Sequence, residues 1–299
     1  MSGASIQVLC PAKVNLFLEV TGRRQDGYHL LATLFAKINL HDVLDLSPAP
    51  GFSLEVVSDR GMTRGSAASE DLGAAETGQE LSAGPDNLVL RAAKAFAAEF
   101  RTGGGAAMRL TKRIPRGAGL GGGSSDAAGA LLGLVKLHRV ETPGTLARLR
   151  RLALGLGADV PLFLHPATLC EGRGIGERLR SVPAAKSLPY MVLVYPDVPV
   201  ATKGVFAALE RPSRKAVLTS LSRLGTLEKK LGKGSPISEW EPLLFNRLES
   251  GVAADHPEVA QARNILLRLG LRGVLMSGSG SAVYGFAASH LEGEQALKR

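Results

Sequence analysis

The chain has 299 residues, 45% hydrophobic and 21% charged, so it is neither fibrous nor broadly disordered and is long enough for two compact domains. Its formal net charge is +9, but the basic residues are spread along the chain and no basic run has interleaved aromatic residues, which disfavours nucleic-acid binding. Its two cysteines lack zinc-site spacing, and no stretch is typical of a signal peptide or membrane span, so we expect a reduced, cytoplasmic compartment.

The N-terminal half is predicted to contain strands followed by helices. Apolar stretches predict a strand over 6–9, a break at 11–13 and a second strand over 14–20. Segment 59–84 is rich in Gly, Ala, Ser and Glu, which predicts an exposed, partly mobile loop. The other predicted elements are strands over 30–46, 52–57 and 107–112, and helices over 85–100, 124–138 and 145–156.

The composition changes at about Pro166, and a second domain is predicted after it. A Ser-Gly-Ser-Gly-Ser turn at 277–281 joins two predicted strands, while segment 211–239 carries no motif. The predicted elements are strands over 190–195, 273–276 and 282–286, and helices over 201–209, 217–224, 259–269 and from Leu291.

The most informative segment is 115–128, in which five glycines precede two serines and an aspartate. Glycine lets backbone N–H groups approach a ligand without a Cβ in the way, and the Ser-Ser-Asp cluster is suited to cap the helix that follows. A helix N-terminus attracts anions because its N–H groups and its dipole carry partial positive charge. The segment therefore predicts a phosphate-binding loop.

Three other interpretations of this segment are weaker. Gly117, Gly119 and Gly122 match a dinucleotide-binding fingerprint, but a basic, proline-containing stretch precedes them and the first acid at the right distance, Glu141, lies in a turn. The segment also lacks the lysine of a Walker P-loop. A flexible loop without a ligand is disfavoured because the glycines lead directly into a helix.

The glycine segment resembles the phosphate-binding loop of the GHMP kinases, which phosphorylate small molecules such as galactose, homoserine and mevalonate. Motifs at 11–18, 24–30 and 157–161 narrow the resemblance to the 4-diphosphocytidyl-2-C-methyl-D-erythritol kinases within this superfamily. These motifs are specific jointly, and the resemblance extends from Pro11 to the turn at 277–281.

The resemblance implies an α+β fold with two domains and an active site in the cleft between them. Residues 1–166 would form a domain like domain 2 of ribosomal protein S5, and residues 167–299 a ferredoxin-like α/β sandwich. The implied cofactors are ATP and Mg²⁺, with Ser124, Ser125 and Asp126 all open as metal ligands. The residues expected to bind ATP are Pro115, Arg116, Gly117, Ala118, Gly119, Leu120, Gly121, Gly122, Gly123, Ser124, Ser125 and Asn87, the last with a helix cap as its alternative role.

Two residues are expected to carry the chemistry. Asp159 lies in a Gly-Ala-Asp-Val-Pro turn, where an aspartate is most often a cap or turn former, but the resemblance makes it the base for the acceptor hydroxyl. Lys13 is either a snorkelling edge residue or a buried charge that needs a carboxylate partner. The resemblance pairs Lys13 with Asp159, which would keep the carboxylate ionised and stabilise negative charge on the attacking oxygen.

Five further residues are expected to contact the acceptor. Asn15 lies two residues after the lysine on the same strand face, and the resemblance assigns it to the substrate's polyol, the alternative being a bond to backbone. Tyr28 and His29 are assigned to the cytosine ring, by stacking and hydrogen bonding respectively, although such a histidine is more often structural. Thr202 is assigned to a substrate contact in the cleft, with a helix N-cap as an equal alternative. Phe206 is assigned to close over the base of the substrate.

The resemblance implies transfer of the γ-phosphoryl group of ATP to the 2-hydroxyl of 4-diphosphocytidyl-2-C-methyl-D-erythritol in the non-mevalonate route to isoprenoid precursors. Both substrates are polyanions, so the basic charge requires no nucleic acid. We expect a monomer or weak homodimer without a membrane partner. The nearer alternative is a related kinase with another acceptor, and the farther one is a basic RNA-binding protein.

Overall fold

The computed structural model describes residues 5–58 and 83–298, so the predicted loop at 59–84 lies outside the described residues except for its last two. The chain divides into two compact units. The first contains Met1–Ala12, Ile38–Ile114 and Gly121–Pro166, and the second contains Lys13–Lys37, Pro115–Leu120 and Ala167–Arg299. Two long strands, β1 (Ile6–Arg23) and β2 (His29–Ala49), contribute residues to both.

The first unit packs helices against a small sheet. Its elements are β3 (Ser53–Ser58), α1 (Leu88–Phe100), β4 (Gly105–Lys112), α2 (Gly122–His138), α3 (Thr145–Leu156) and α4 (Val160–Leu164). Strand β4 pairs antiparallel with β2 and parallel with β3, while α1 packs against α2 and α3, and α2 against α4. The strands predicted over 52–57 and 107–112 and the helices predicted over 85–100 and 145–156 are confirmed.

Small residues allow helix α2 to pack closely within this unit. A Cβ added at Gly129 would overlap the sulfur of Cys10, and one at Gly133 would lie 2.6 Å from Cδ1 of Leu46. Larger side chains at these two positions would push the helix off the strands and open voids in a close-packed core. The position of α2 matters because its N-terminus begins in the glycine segment.

The second unit contains two groups of strands. Its elements are β5 (Leu169–Gly174), β6 (Arg178–Ser181), β7 (Tyr190–Val194), α5 (Thr202–Ala208), α6 (Arg214–Gly232), α7 (Ile237–Trp240), β8 (Phe245–Asn246), α8 (Glu249–Asp255), α9 (Pro257–Arg268), β9 (Arg272–Met276), β10 (Val283–Ala287) and α10 (His290–Leu297). One group of strands has the order β6-β5-β2-β1-β8, and the other is an antiparallel sheet of order β7-β10-β9 against which α9 and α10 pack.

The apolar core of the second unit joins residues from both ends of the chain. Leu18 and Val20 of β1 share one buried cluster with Val192, Leu266 and Met276. The buried carboxylate of Glu19 forms an ion pair with Arg247, in which Nη2 lies 2.6 Å from Oε2. Strand β1 is therefore part of the core of the second unit, together with residues from the C-terminal half of the chain.

The structure corrects two sequence predictions and extends a third. Strand β1 passes through Pro11 without a break, because the fixed φ of proline suits extended backbone and β8 joins β1 farther along, at Phe17 and Leu18. Helix α2 begins in the glycines with Gly121 as N-cap and no side-chain capping bond, so the Ser-Ser-Asp cluster lies inside its first turns. Helix α6 is longer than the predicted 217–224.

The mixed α+β class is confirmed. In the two described stretches, 5–58 and 83–298, no helix has both the length and the apolar character needed to cross a bilayer.

Candidate active site

Alternate residues of the glycine segment adopt left-handed backbone. Gly117, Gly119 and Gly121 have φ values of 64°, 73° and 72°, whereas the intervening Ala118 and Leu120 have no positive φ. A run of residues that alternates in hand turns successive N–H groups toward one concave side, which is an anion-binding arrangement. The alternation explains why glycine stands at every second position here, since only glycine adopts positive φ at little cost.

Five successive carbonyl groups of the segment accept hydrogen bonds from other parts of the second unit. Val200 N, Ala282 N and Lys13 N donate to the carbonyl oxygens of residues 117, 118 and 120 at 3.3, 3.2 and 2.9 Å. Side chains supply the other two bonds, from the Tyr195 hydroxyl to residue 116 and from Ser277 Oγ to residue 119, both at 3.1 Å.

This run of bonds determines which way the amides face. In a planar trans peptide the C=O and N–H groups point in opposite directions. Because each carbonyl of residues 116–120 is bound, each N–H of residues 117–121 is directed away from the partner of the preceding carbonyl. The segment therefore presents a row of donors whose orientation is fixed by the rest of the second unit, which suits a phosphate group.

Asn246 holds the turn at 277–281 that contributes to these bonds. Its Nδ2 donates to the carbonyls of Met276 and Gly278 at 2.9 and 2.7 Å, and its Oδ1 accepts from Leu248 N at 3.0 Å. The turn lies close to the glycine segment, because a Cβ added at Gly278 would be 3.1 Å from the carbonyl oxygen of Gly119. A buried amide thus fixes both the turn and, through it, the loop.

Asn246→Asp is expected to destabilise the second unit by about 2–3 kcal/mol, because it replaces a donor to two carbonyls with an acceptor of the same shape in a buried position. Denaturant unfolding measures the loss, and the KM for ATP should rise. Thr219→Val, at an exposed position on α6, is the control and should leave both values unchanged. Equal stability of Asn246→Asp and the parent protein would contradict the holding role of the amide.

A buried charge cluster lies beside the start of α2 in the first unit. Lys112 Nζ forms ion pairs with Oδ2 of Asp42 and, at 2.6 Å, with Oδ2 of Asp126. Asp42 Oδ1 also accepts from the backbone N–H groups of Arg113 and Ile114, immediately before the glycine segment. Burial raises the pKa of Asp126 to about 7, with the Lys112 ammonium opposing the rise and the charge of Asp42 adding to it.

Lys112→Met is expected to destabilise the first unit by about 3 kcal/mol, because two carboxylates would share a buried site without a cation. Thermal unfolding measures the loss. Adding Asp126→Asn should recover part of it, since one of the two charges is then removed. Lys136→Met is the matched control, because its ion pair with Glu141 is exposed and should have no measurable effect. A Lys112→Met protein as stable as this control would contradict the prediction.

The structure places Lys13 and Asn15 side by side in a buried part of the second unit. Lys13 Nζ donates to Asn15 Oδ1 at 2.8 Å and lies 5.7 Å from the ring centroid of Phe35. The two side chains are only 4% and 1% exposed, which excludes the snorkelling edge position for Lys13. The amide group of Asn15 forms its hydrogen bonds with the side chains of Lys13 and Thr33. The alternative prediction, in which this amide bonds to backbone, is therefore wrong.

Three of the predicted acceptor residues lie near one another in the same unit. The rings of His29 and Phe206 are stacked with centroids 5.2 Å apart, and Tyr28, which precedes His29 in the chain, is 59% exposed. Burial, assisted by the charge of Arg23, holds the pKa of His29 below its usual range. His29 is therefore neutral at pH 7, with one ring nitrogen that donates and one that accepts.

Thr202 is not the helix cap that one interpretation predicted. Ala201 is the N-cap of α5, and the Thr202 hydroxyl forms a 2.8 Å hydrogen bond with Ser279 Oγ. In the first unit, Asn87 is a cap, since its side chain accepts from Val89 N at 2.9 Å. Asp159 occupies the N-cap position of α4 without a side-chain capping bond, so its carboxylate does not serve the helix as a cap.

The predicted site residues fall in two groups. The second unit brings together Lys13, Asn15, the loop residues 115–120 and the turn at 277–281, while Asn87, the loop residues 121–125 and Asp159 belong to the first. Sequence reasoning missed Thr33, whose only signal is a polar residue between apolar neighbours in a strand, and Asn246, which has no such signal because Arg247 follows it. It also missed Tyr195, which has no motif around it.

Comparisons with known proteins identify the family. The GHMP kinases N terminal domain family matches residues 87–166, and the GHMP kinases C terminal family matches residues 217–299. The chain is 38% identical to 4-diphosphocytidyl-2-C-methyl-D-erythritol kinase of Chlorobaculum parvum, over 91% of this chain and 86% of that protein. It is 40% identical to the kinase of the same name from Thermus thermophilus, over 93% and 86%.

A solved structure agrees with these sequence relatives. A crystal structure of 4-(cytidine 5'-diphospho)-2C-methyl-D-erythritol kinase is 36% identical, with a TM-score of 0.74 over 97% of this chain and 93% of that chain. The resemblance to the GHMP kinases predicted from the motifs, and the fold that it implied, are confirmed. The chain is a member of the 4-diphosphocytidyl-2-C-methyl-D-erythritol kinase family of ATP-dependent GHMP kinases.

Proposed function

We propose that the protein transfers the γ-phosphoryl group of ATP to the 2-hydroxyl of 4-diphosphocytidyl-2-C-methyl-D-erythritol, in the methylerythritol phosphate route to isoprenoid precursors. The names of its relatives support this small-molecule substrate. The structural observation that carries the proposal is the run of five bound carbonyls at residues 116–120. A loop held in this way keeps its donors oriented for phosphate before any ligand arrives.

The glycine loop and the start of α2 would hold the phosphates of ATP. The residues we propose are 115–125, whose N–H groups and helix dipole stabilise negative charge on the transferring group. Asn87 is proposed to lie near the adenine base in addition to its capping role. Positioning and charge stabilisation account for most of the rate in phosphoryl transfer, so the order of this loop is the main contribution of the chain.

Mg²⁺ is part of the proposal, with its site at the start of α2. Ser125 Oγ and Asp126 Oδ1 are buried there, and neither has a hydrogen-bond partner within the described part of the chain. Oxygen atoms are the ligands that Mg²⁺ prefers, so these residues fit the ion. When bound, Mg²⁺ would neutralise charge on the phosphate oxygens.

Asp159 and Lys13 are proposed to act on the acceptor hydroxyl. Asp159 would accept its proton, and its side chain makes no capping bond to α4. Lys13 would stabilise the negative charge that develops on the attacking oxygen. Its ammonium is buried and is oriented by a hydrogen bond to the neutral amide oxygen of Asn15. Burial strengthens this effect because the local dielectric constant is low.

The cytidine end of the acceptor is proposed to bind against Tyr28, His29 and Phe206. The exposed ring of Tyr28 offers a stacking surface, and neutral His29, backed by Phe206, can both donate to and accept from a base edge. Thr202 and Asn15 are proposed to contact the rest of the acceptor. These five residues would give the kinase its preference over acceptors without a cytidine group.

A kinase assay across acceptors tests the proposal. Turnover is expected with 4-diphosphocytidyl-2-C-methyl-D-erythritol, and none with homoserine, mevalonate or the same polyol phosphate lacking cytidine. Equal rates on an acceptor without cytidine would favour the related kinase with another substrate. Salt-sensitive RNA binding without ATP turnover would favour the nucleic-acid-binding alternative.

Three further features complete the proposal. We propose domains over 1–166 and 167–299, action as a monomer or weak homodimer, and a cytoplasmic location. Size-exclusion chromatography with light scattering measures the oligomeric state directly.

A further inference from the structure

A chain of buried side chains leads from Lys13 to the backbone of strand β1. Lys13 Nζ donates to Asn15 Oδ1 at 2.8 Å, Asn15 Nδ2 donates to Thr33 Oγ1 at 2.7 Å, and Thr33 Oγ1 donates to the Phe17 carbonyl at 2.7 Å. Thr33 is fully buried, like the two residues before it in the chain of bonds. None of the roles proposed for the site residues explains why a threonine lies between Ala32 and Leu34.

Counting protons fixes the direction of every bond in this chain. A threonine hydroxyl has one proton and a carbonyl oxygen can only accept, so the Thr33 proton goes to Phe17. The Thr33 oxygen must therefore accept from Asn15, which requires the amide nitrogen on that side. The Asn15 oxygen then faces Lys13. Thr33 therefore determines that the Lys13 ammonium contacts the oxygen of the amide and not its nitrogen.

We propose that Thr33 is a positioning residue for phosphoryl transfer, acting through Asn15 to hold the Lys13 ammonium in place. The proposal rests on the proposed function, in which Lys13 stabilises charge on the attacking oxygen. Without the hydroxyl, the amide of Asn15 loses the partner that fixes its orientation. Rotated by half a turn, it would present an NH₂ donor to an NH₃⁺ donor and displace Lys13.

The surroundings of Lys13 explain why such a displacement matters. Its ammonium lies over Phe35 on one side, and the Cβ position of Gly278 is 3.1 Å from Nζ on another. The group thus occupies a narrow buried space in which the Asn15 oxygen is a fixed polar partner. A shift of about 1 Å at a reacting centre is enough to lower a rate on the order of 100-fold.

The test compares Thr33→Val with Thr33→Ser. Valine keeps the shape and removes the hydroxyl, whereas serine keeps both the proton and the acceptor. With ATP and the cytidine-containing acceptor at saturation, Thr33→Val should lower kcat about 10- to 100-fold while the KM for ATP changes little. Thr33→Ser should stay within about threefold of the parent protein. A purely structural threonine would lower stability without this split between kcat and KM.

A double-mutant cycle asks whether the effect passes through Asn15. The cost of Thr33→Val should nearly vanish when it is made in Asn15→Ala, because the amide that it orients is then missing. An equal cost in both backgrounds, or a folded Thr33→Val with normal kcat, would overturn the proposal.

One measurement keeps the proposal testable should Thr33→Val fail to fold. In the parent protein the Nδ2 protons of Asn15 should exchange with solvent far more slowly than those of exposed asparagines, and exchange at the exposed rate would overturn the fixed amide. The proposed function is tested independently of Thr33: it would be wrong if the unmodified protein did not phosphorylate the cytidine-containing acceptor.

Discussion

Asp159→Asn is expected to bind ATP normally and to lose phosphoryl transfer by about 100- to 10,000-fold, the usual contribution of a general base. Asparagine has the same shape as aspartate but does not take up the proton of the acceptor hydroxyl. Because the Asp159 side chain makes no capping bond to α4, its replacement should not disturb the helix. Steady-state kinetics measure the loss, and calorimetry with a non-hydrolysable nucleotide measures the retained affinity.

The control for this prediction is Asp255→Asn, an exposed residue at the end of α8, which should leave kcat unchanged. If Asp159→Asn kept a near-normal kcat with ATP bound, the assignment of the base would be wrong and another group would have to accept the proton.

Gly119→Ala is expected to cost the second unit more than about 5 kcal/mol, enough to prevent the glycine loop from forming in its present place. Residue 119 has a φ of 73°, and its added Cβ would overlap the carbonyl oxygen of Ser277 and lie 3.0 Å from that of Gly280. Both obstacles are backbone atoms in a buried turn, so no side-chain rotation relieves them. Thermal unfolding and nucleotide binding should both show the loss.

Gly123→Ala is the matched control in the same motif. Its added Cβ would meet only Cδ1 of Leu88, at 3.7 Å, and it lies in the first turn of α2 without a positive φ. Its melting temperature should equal or slightly exceed that of the parent protein, since alanine favours helix. Similar melting temperatures for the two variants would show that the steric argument at residue 119 is wrong.

Sequence reasoning succeeded where local chemistry alone determines the outcome. The Asn87 cap and the positions of most helices follow from short-range preferences, and the structure confirms them, although α2 begins earlier and α6 is longer than predicted. The same reasoning failed at Pro11, where a break was predicted, because the fixed φ of proline suits extended backbone and the pairing of β1 with β8 lies farther along, at Phe17 and Leu18. A proline ends a strand only where its missing N–H would have been needed for pairing.

The residues that hold the site could not be found in this way. Asn246 and Thr33 act through bonds to segments that are distant in sequence, and their value depends on which carbonyl each one meets. A polar residue in an apolar strand signals only that it has a partner, because a buried polar group without one is costly. Which partner it has is a property of the folded chain.

The contribution of residues 13–37 to the second unit has a consequence during synthesis on the ribosome. The Tyr284 hydroxyl donates to the carbonyl of Asn15 across 269 residues of chain, and Arg247 meets Glu19 across 228. Such distant pairings are slow to form, and they are impossible until the last strands have emerged. Lys13 and Asn15 must therefore wait until Tyr284 has emerged, and nascent chains truncated before residue 284 should leave this strand open to chaperones.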